Sequence, residues 1–158
     1  MKIIFLDIDG VLNCRTSRSR CGKYIGIDTD KLLRLKKIVD STGAKIVLVS
    51  TWKYGWQKLP MCKQLQDELA NYLDKRFESV NLEVYDKTFD NSEKGHLSRG
   101  EGIVYYLDGK SVERFVILDD FQFDYDGCGL TDYYVKTDNS VGLTDENVLK
   151  AIEILQGN

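Results

Sequence analysis

The residues best equipped for chemistry stand near the start of the chain, in Phe5-Leu-Asp7-Ile-Asp9-Gly10-Val-Leu-Asn13. Two aspartates one residue apart follow the apolar run Ile3 to Leu6. Such a run of branched and aromatic residues suits a strand buried on both faces of a parallel sheet. Asp7 and Asp9 then fall at the strand's carboxyl end, and Gly10 lets the chain turn sharply away. That edge is where open α/β sheets bind ligands. Two carboxylates crowded there repel each other unless a cation or a proton lies between them. The string Asp-x-Asp-Gly also occurs in calcium loops and ordinary surface turns, so the rest of the chain must decide.

Two further strands end in polar groups. Lys45 to Val49 leads into Ser50-Thr51, whose hydroxyls can donate to a phosphate or cap the following turn. Phe115 to Leu118 leads into Asp119-Asp120, with Asp124 four residues after Asp120 and Asp126 beyond. In a parallel sheet all these ends share one edge. Carboxylates converging there call for a hard divalent cation; magnesium fits best, because it keeps several waters and bridges carboxylates to phosphate, whereas calcium more often uses one contiguous loop. Ser98-Arg-Gly-Glu101 fits a capping box, which places Arg99 in a first helical turn. A cation opposes the helix dipole there and points to a role beyond structure. The segment Cys14 to Lys23 carries Arg15, Arg18, Arg20 and Lys23 with no acid, and reads as a solvated loop or as a phosphate-steering flap. Trp52, Lys53, Tyr54 and Trp56 follow Ser50-Thr51 closely, either to stack a ring or to act as partly buried anchors.

The elements that must position these groups alternate. A helix from about Asp30 to Thr42, capped by Asp28 or Thr29, carries Leu32, Leu35 and Val39 on one stripe and stops at Gly43. A second is expected from Pro60 to Phe77, then a strand from Leu82 to Tyr85 and a polar loop from Phe89 to Leu97. The Ser98 helix runs to Gly109, turning Ile103, Val104 and Leu107 inward. A last strand, Tyr133 to Lys136, precedes a helix capped by Thr144, with Leu143 and Val148 as a hydrophobic staple. Strand and helix in alternation predict an α/β fold, a parallel sheet with helices on both faces, in one domain over residues 1–158.

Composition narrows the class. At 158 residues, 42% hydrophobic and 30% charged, the chain can bury a sizeable core, and a net charge of −3 excludes a global basic field. No apolar run approaches a membrane span, and Asp7 interrupts the N-terminal run too early for a signal peptide. Cys14, Cys21, Cys62 and Cys128 form no Cys-x-x-Cys pair and His96 is the only histidine. Free thiols in a reducing cytoplasm are expected, the alternative being a Cys14–Cys21 disulfide or metal clip.

On these motifs the sequence resembles the haloacid dehalogenase (HAD) superfamily of phosphatases and phosphotransferases over nearly its whole length. Asp-Gly-Val-Leu-Asn, Ser-Thr-Trp, Arg-Gly-Glu and Ile-Leu-Asp-Asp look most like small HAD domains associated with RNA-repair proteins. The resemblance implies a three-layer Rossmann-like fold and a magnesium-dependent phosphomonoesterase. Asp7 would be the nucleophile forming an aspartyl-phosphate and Asp9 the general acid and base. Ser50, with Thr51, would bind the phosphoryl group. Metal ligands would come from Asp7, the Asp9 carbonyl and the Asp119, Asp120, Asp124 group, with Asp120 favoured as the direct ligand. The superfamily usually has a lysine where Arg99 stands, and Lys94 is the alternative cation. The short spacers leave no room for a large cap domain. An open site beside Arg15, Arg18 and Trp52 suits a nucleotide or a nucleic-acid terminal phosphate. Two other classes remain: a non-catalytic phosphate- or nucleic-acid-binding module, and a phosphoacceptor signalling domain.

Overall fold

The computed structural model describes residues 1–158. Five strands form one sheet: β1 (Lys2–Leu6), β2 (Lys45–Leu48), β3 (Val84–Lys87), β4 (Arg114–Asp119) and β5 (Tyr134–Lys136). Every pairing is parallel, in the order β3-β2-β1-β4-β5. The chain runs outward from β1 through β2 to β3, then crosses back to β4 on the other side of β1. The crevice between the carboxyl ends of β1 and β4 is therefore the topological switch point, where such sheets bind ligands.

Side chains alternate across the sheet and build two cores. Ile4, Leu6, Ile46, Leu48, Val116 and Leu118 face helices α1 (Thr29–Thr42), α2 (Glu68–Glu78) and α4 (Asp145–Gln156). Ile3, Phe5, Val47 and Ile117 face helix α3 (Arg99–Leu107), through Ile103 and Tyr106. Tyr125 and Leu130 from the β4–β5 connection complete that second side. Ile3 to Leu6 are all fully buried, and each such side chain contributes roughly 1.5–3 kcal/mol relative to exposure. This is why a continuous apolar run, not an alternating one, makes the central strand. Helices thus cover both faces, three on one and one on the other.

Most elements stand where patterning places them, with local differences. The expected helix from Pro60 to Phe77 is broken: Pro60–Leu65 is a 3₁₀ turn and α2 starts at Glu68. The Asp67 carboxylate accepts the Ala70 N–H at 2.8 Å and so caps a new helix. The third strand lies two residues later than expected, at Val84–Lys87, and the Phe89–Leu97 segment contains a small hairpin pairing Asn91–Ser92 with Gly95–His96. Asp28 precedes α1 without capping it through its side chain, because its carboxylate accepts from Ser17 and pairs with Lys31. Thr144 and Ser98 both form capping boxes, and Leu143 and Val148 are buried together in the first core. All four cysteines are free. No helix is long and apolar enough to cross a membrane.

Between β1 and α1 the chain forms only a small flap, a hairpin of Arg20–Cys21 with Tyr24–Ile25. The Ile27 N–H donates to the Tyr72 hydroxyl and Arg76 donates to the Ile27 carbonyl, which ties the base of this flap to α2. Neither this hairpin nor the one before α3 amounts to a cap domain.

Candidate active site

Asp7 ends β1 and is buried; its backbone N–H donates to the Leu118 carbonyl at 2.9 Å, which locks it against β4. Carboxylate oxygens of Asp7, Asp119 and Asp120 all lie within 4.8 Å of one another. One guanidinium enters this group: Arg99 Nη1 is 2.8 Å from Asp119 Oδ2 and 3.3 Å from Asp7 Oδ1. Asp119 is fully buried and also accepts from the Tyr125 hydroxyl at 2.6 Å and the Phe121 N–H at 3.1 Å. Burial, with the charges of Asp119 and Asp120, holds the Asp7 carboxyl well above the usual carboxylate range despite Arg99. Burial and Asp119 push Asp120 up as well. With all three carboxylates ionised, the one guanidinium would leave two negative charges over, which is the repulsion that adds to burial in raising Asp7 and Asp120.

Asp9, two residues on, is exposed but braced. Its Oδ1 accepts from Asn13 Nδ2 at 2.9 Å and its Oδ2 from the Trp52 indole N–H at 3.1 Å. Asn13 is itself buried: Nδ2 also donates to the Gly26 carbonyl, and Oδ1 accepts the Gly10 N–H, both at 2.9 Å. Thr137 Oγ1 donates to the Gly10 carbonyl at 2.7 Å and pins the turn from β5. Gly10 has φ +81°, and a Cβ there would come within 2.3 Å of an Asp120 carboxylate oxygen. The turn therefore requires glycine for both conformation and space.

The other expected site residues divide. Ser50 is buried at the end of β2 and its hydroxyl accepts the Trp52 N–H at 3.2 Å, capping a 3₁₀ turn over Thr51–Gly55; Thr51 is exposed. Arg99 reaches the carboxylates at the sheet edge, whereas Lys94 stands on the tip of the 91–96 hairpin, its N–H bonded to Ser92. Arg15 and Arg18 are exposed on the flap.

Two of the expected site residues stand apart from the carboxylate group. Asp124 lies outside the metal-competent group; its carboxylate accepts from Ser98 Oγ and from the Gly100 N–H at 2.8 Å. Burial works against its charge, but these bonds outweigh it and hold the carboxyl below the usual range. It fixes the start of α3, and with it Arg99. Trp52 is only 4% exposed and packs beside Tyr72, so its ring offers no face to a ligand; its part is to hold Asp9.

Sequence reasoning overlooked Asn13, Tyr125 and Lys53 as working parts. Asn13 carried a signal, standing four residues after Asp9 in the first motif. Tyr125, six residues after Asp119, reads in the sequence as one more core aromatic, and Lys53 only as a cation among aromatics, because its partners Thr88 and Asp90 lie on another segment. Lys53 is buried, with Nζ 2.7 Å from Asp90 and 3.0 Å from Thr88 Oγ1; burial pulls its pKa down.

A parallel sheet in this order, with an aspartate triad and a guanidinium at its switch point, defines a HAD-type, phosphatase-like α/β domain. Comparison with protein-family models matches residues 3–148 to the HAD domain in Swiss Army Knife RNA repair proteins, and the chain belongs to that family. No curated protein and no solved structure matches the chain.

Proposed function

We propose that this protein is a magnesium-dependent phosphomonoesterase, acting as one domain in the cytoplasm through an aspartyl-phosphate on Asp7. The observation that carries the reading is the division of labour at one strand end. Asp7 is buried in a carboxylate triad with Arg99, and Asp9 is held clear of it by Asn13 and Trp52.

The all-oxygen donor set fits a hard divalent ion, and the two negative charges left over on full ionisation match its charge. Asp7 and Asp120 would hold it directly with the Asp9 carbonyl, and Asp119, already engaged by Arg99 and Tyr125, would support them. Bound there, magnesium supplies charge neutralisation for both the carboxylates and an incoming phosphate.

The remaining chemistry belongs to the chain. An Asp7 carboxylate oxygen attacks phosphorus, the bond to the leaving oxygen breaks, and Asp9 gives that oxygen its proton. Asp9 then takes a proton from water as the water attacks the acyl phosphate, releasing inorganic phosphate and restoring Asp7. The braced carboxylate serves both transfers because Asn13 and Trp52 donate to it without burying it. Arg99 and the Ser50 hydroxyl offset the phosphoryl charge at the switch point. A proton shuttle beside the nucleophile supports turnover over a long-lived phosphoacceptor or a binding-only module.

The substrate reading is a nucleotide or a nucleic-acid terminal phosphate. It is supported by the family's association with RNA repair, by the absence of a cap over the site, and by the exposed Arg15 and Arg18 on the flap. The test is phosphate release from an aryl phosphate and from 3′- and 5′-phosphorylated oligonucleotides, with and without magnesium. Magnesium-dependent release that vanishes in Asp7→Asn is expected; full activity in Asp7→Asn would overturn the mechanism.

A further inference from the structure

The charged nest around Arg99 opens sideways into a groove of about 610 Å³, inside the ~300–1,000 Å³ range of small-ligand pockets. Three exposed aromatics line it: Tyr54 at 64%, Phe121 at 62% and Phe123 at 44% exposure. A single exposed aromatic needs no explanation, but three around one concavity beside a reaction centre do. They come from two segments, each launched by a site residue: Tyr54 follows Ser50-Thr51 and the two phenylalanines follow Asp119-Asp120.

The phenylalanines are mounted on the reaction centre. The Phe121 N–H donates to Asp119 Oδ1, Phe121 and Phe123 pack edge to face at 4.9 Å, and the Arg99 guanidinium lies over Phe123 at 4.1 Å. Phe123 has φ +48°, a left-handed conformation that costs free energy for a bulky side chain. Its contacts with Arg99 and Phe121 hold it there. The groove thus sets the Arg99 guanidinium beside exposed aromatic faces, while the charge of its Lys53 is taken up by Asp90 at 2.7 Å. That suits a ligand with an anionic end and a flat ring.

We infer that this groove is a nucleobase subsite, in which the base of the phosphate-bearing nucleoside stacks on Phe121 and Tyr54 while its phosphate lies at Asp7 and Arg99. The inference rests on the phosphomonoesterase reading and deepens it: the substrate is a nucleoside phosphomonoester rather than a sugar phosphate. Stacking uses a face that every base has, so recognition tolerates base identity. Trp52 and Trp56, aromatic neighbours of Tyr54 in sequence, are buried and take no part.

The test compares kcat/KM for ribose 5-phosphate with that for 3′- and 5′-monophosphates of adenosine and uridine. Wild type should prefer the nucleotides. Tyr54→Ala and Phe121→Ala should erode that preference on the order of ten- to a hundredfold, through KM, while Tyr54→Phe and Phe121→Tyr keep it. Equal turnover of ribose phosphate and nucleotides by wild type, or equal losses on both in the alanine variants, overturns the subsite without touching the phosphatase. Failure of wild type to release phosphate from any ester sinks the phosphatase reading instead. The groove is then judged by calorimetric titration of adenosine monophosphate against ribose 5-phosphate. Tighter nucleotide binding that weakens in Phe121→Ala sustains the subsite, and equal binding rejects it.

Discussion

Asp7 and Asp9 leave the same strand end two residues apart, yet the fold treats them in opposite ways. Asp7 is turned into the sheet edge, where Asp119 and Asp120 crowd it and only Arg99 offers a compensating charge. Asp9 is turned out, near the flap, where two neutral N–H donors orient it and water reaches it. One region stores unfavourable electrostatics that a cation would relieve; the other holds an exposed carboxylate in a fixed orientation. Two identical side chains thus have different environments, and the proposed mechanism assigns them different roles on that ground.

Asp7→Asn separates the two most sharply. Turnover should fall by at least about 10⁴-fold. The thermal midpoint in metal-free buffer should rise, because a carboxyl whose pKa is raised by folding destabilises the native state once it ionises. A lower midpoint would mean that the Asp7–Arg99 contact outweighs the repulsion. Asp9→Asn should lower turnover roughly 10²–10⁴-fold, with little change in melting. The loss should be smaller for an aryl phosphate, whose leaving group needs less protonation, than for an alkyl phosphate. Equal losses on the two esters would remove the acid role.

Arg99→Ala tests the buried side. It leaves Asp119 without its guanidinium in a fully buried site, and urea unfolding should show a loss of about 3 kcal/mol. Magnesium should recover part of that loss. Trp52→Phe tests the exposed side: it keeps a buried ring but deletes the donor to Asp9, and kcat should fall about tenfold with KM nearly unchanged. An unchanged kcat would show that Asn13 alone orients the carboxylate. The smallest effect concerns Asp124, whose folded pKa is depressed. Its stabilisation of the α3 start is present at neutral pH and fades as the pH falls below about 4. The stability gap between wild type and Asp124→Asn should narrow over that range in acid unfolding curves.

Much of this was legible in the chain. The apolar runs before Asp7, Ser50 and Asp119 announced the strands, because a strand buried on both faces needs every residue apolar. The capping boxes at Ser98 and Thr144 announced helix starts, because their hydrogen bonds close within four residues. The break at Asp67 was missed because its apolar stripe continues through the 3₁₀ turn, and only the cap geometry shows the interruption. The position of Asp124 is hidden for a related reason: its spacing from Asp120 suits a ligand, but its partners, Ser98 and Gly100, lie on another element.

By itself, then, the sequence determined the parallel α/β architecture and pointed to one sheet edge and to the pair Asp7 and Asp9 on it. Those depend on periodicity and on contacts local in the chain. Only the tertiary structure decided which carboxylates lie together, that Arg99 and not Lys94 reaches them, that Trp52 holds Asp9, and that Tyr54, Phe121 and Phe123 line one groove beside Arg99. Those depend on side chains from separate segments meeting across the switch point, and spacing along one segment carries no record of what faces it from another.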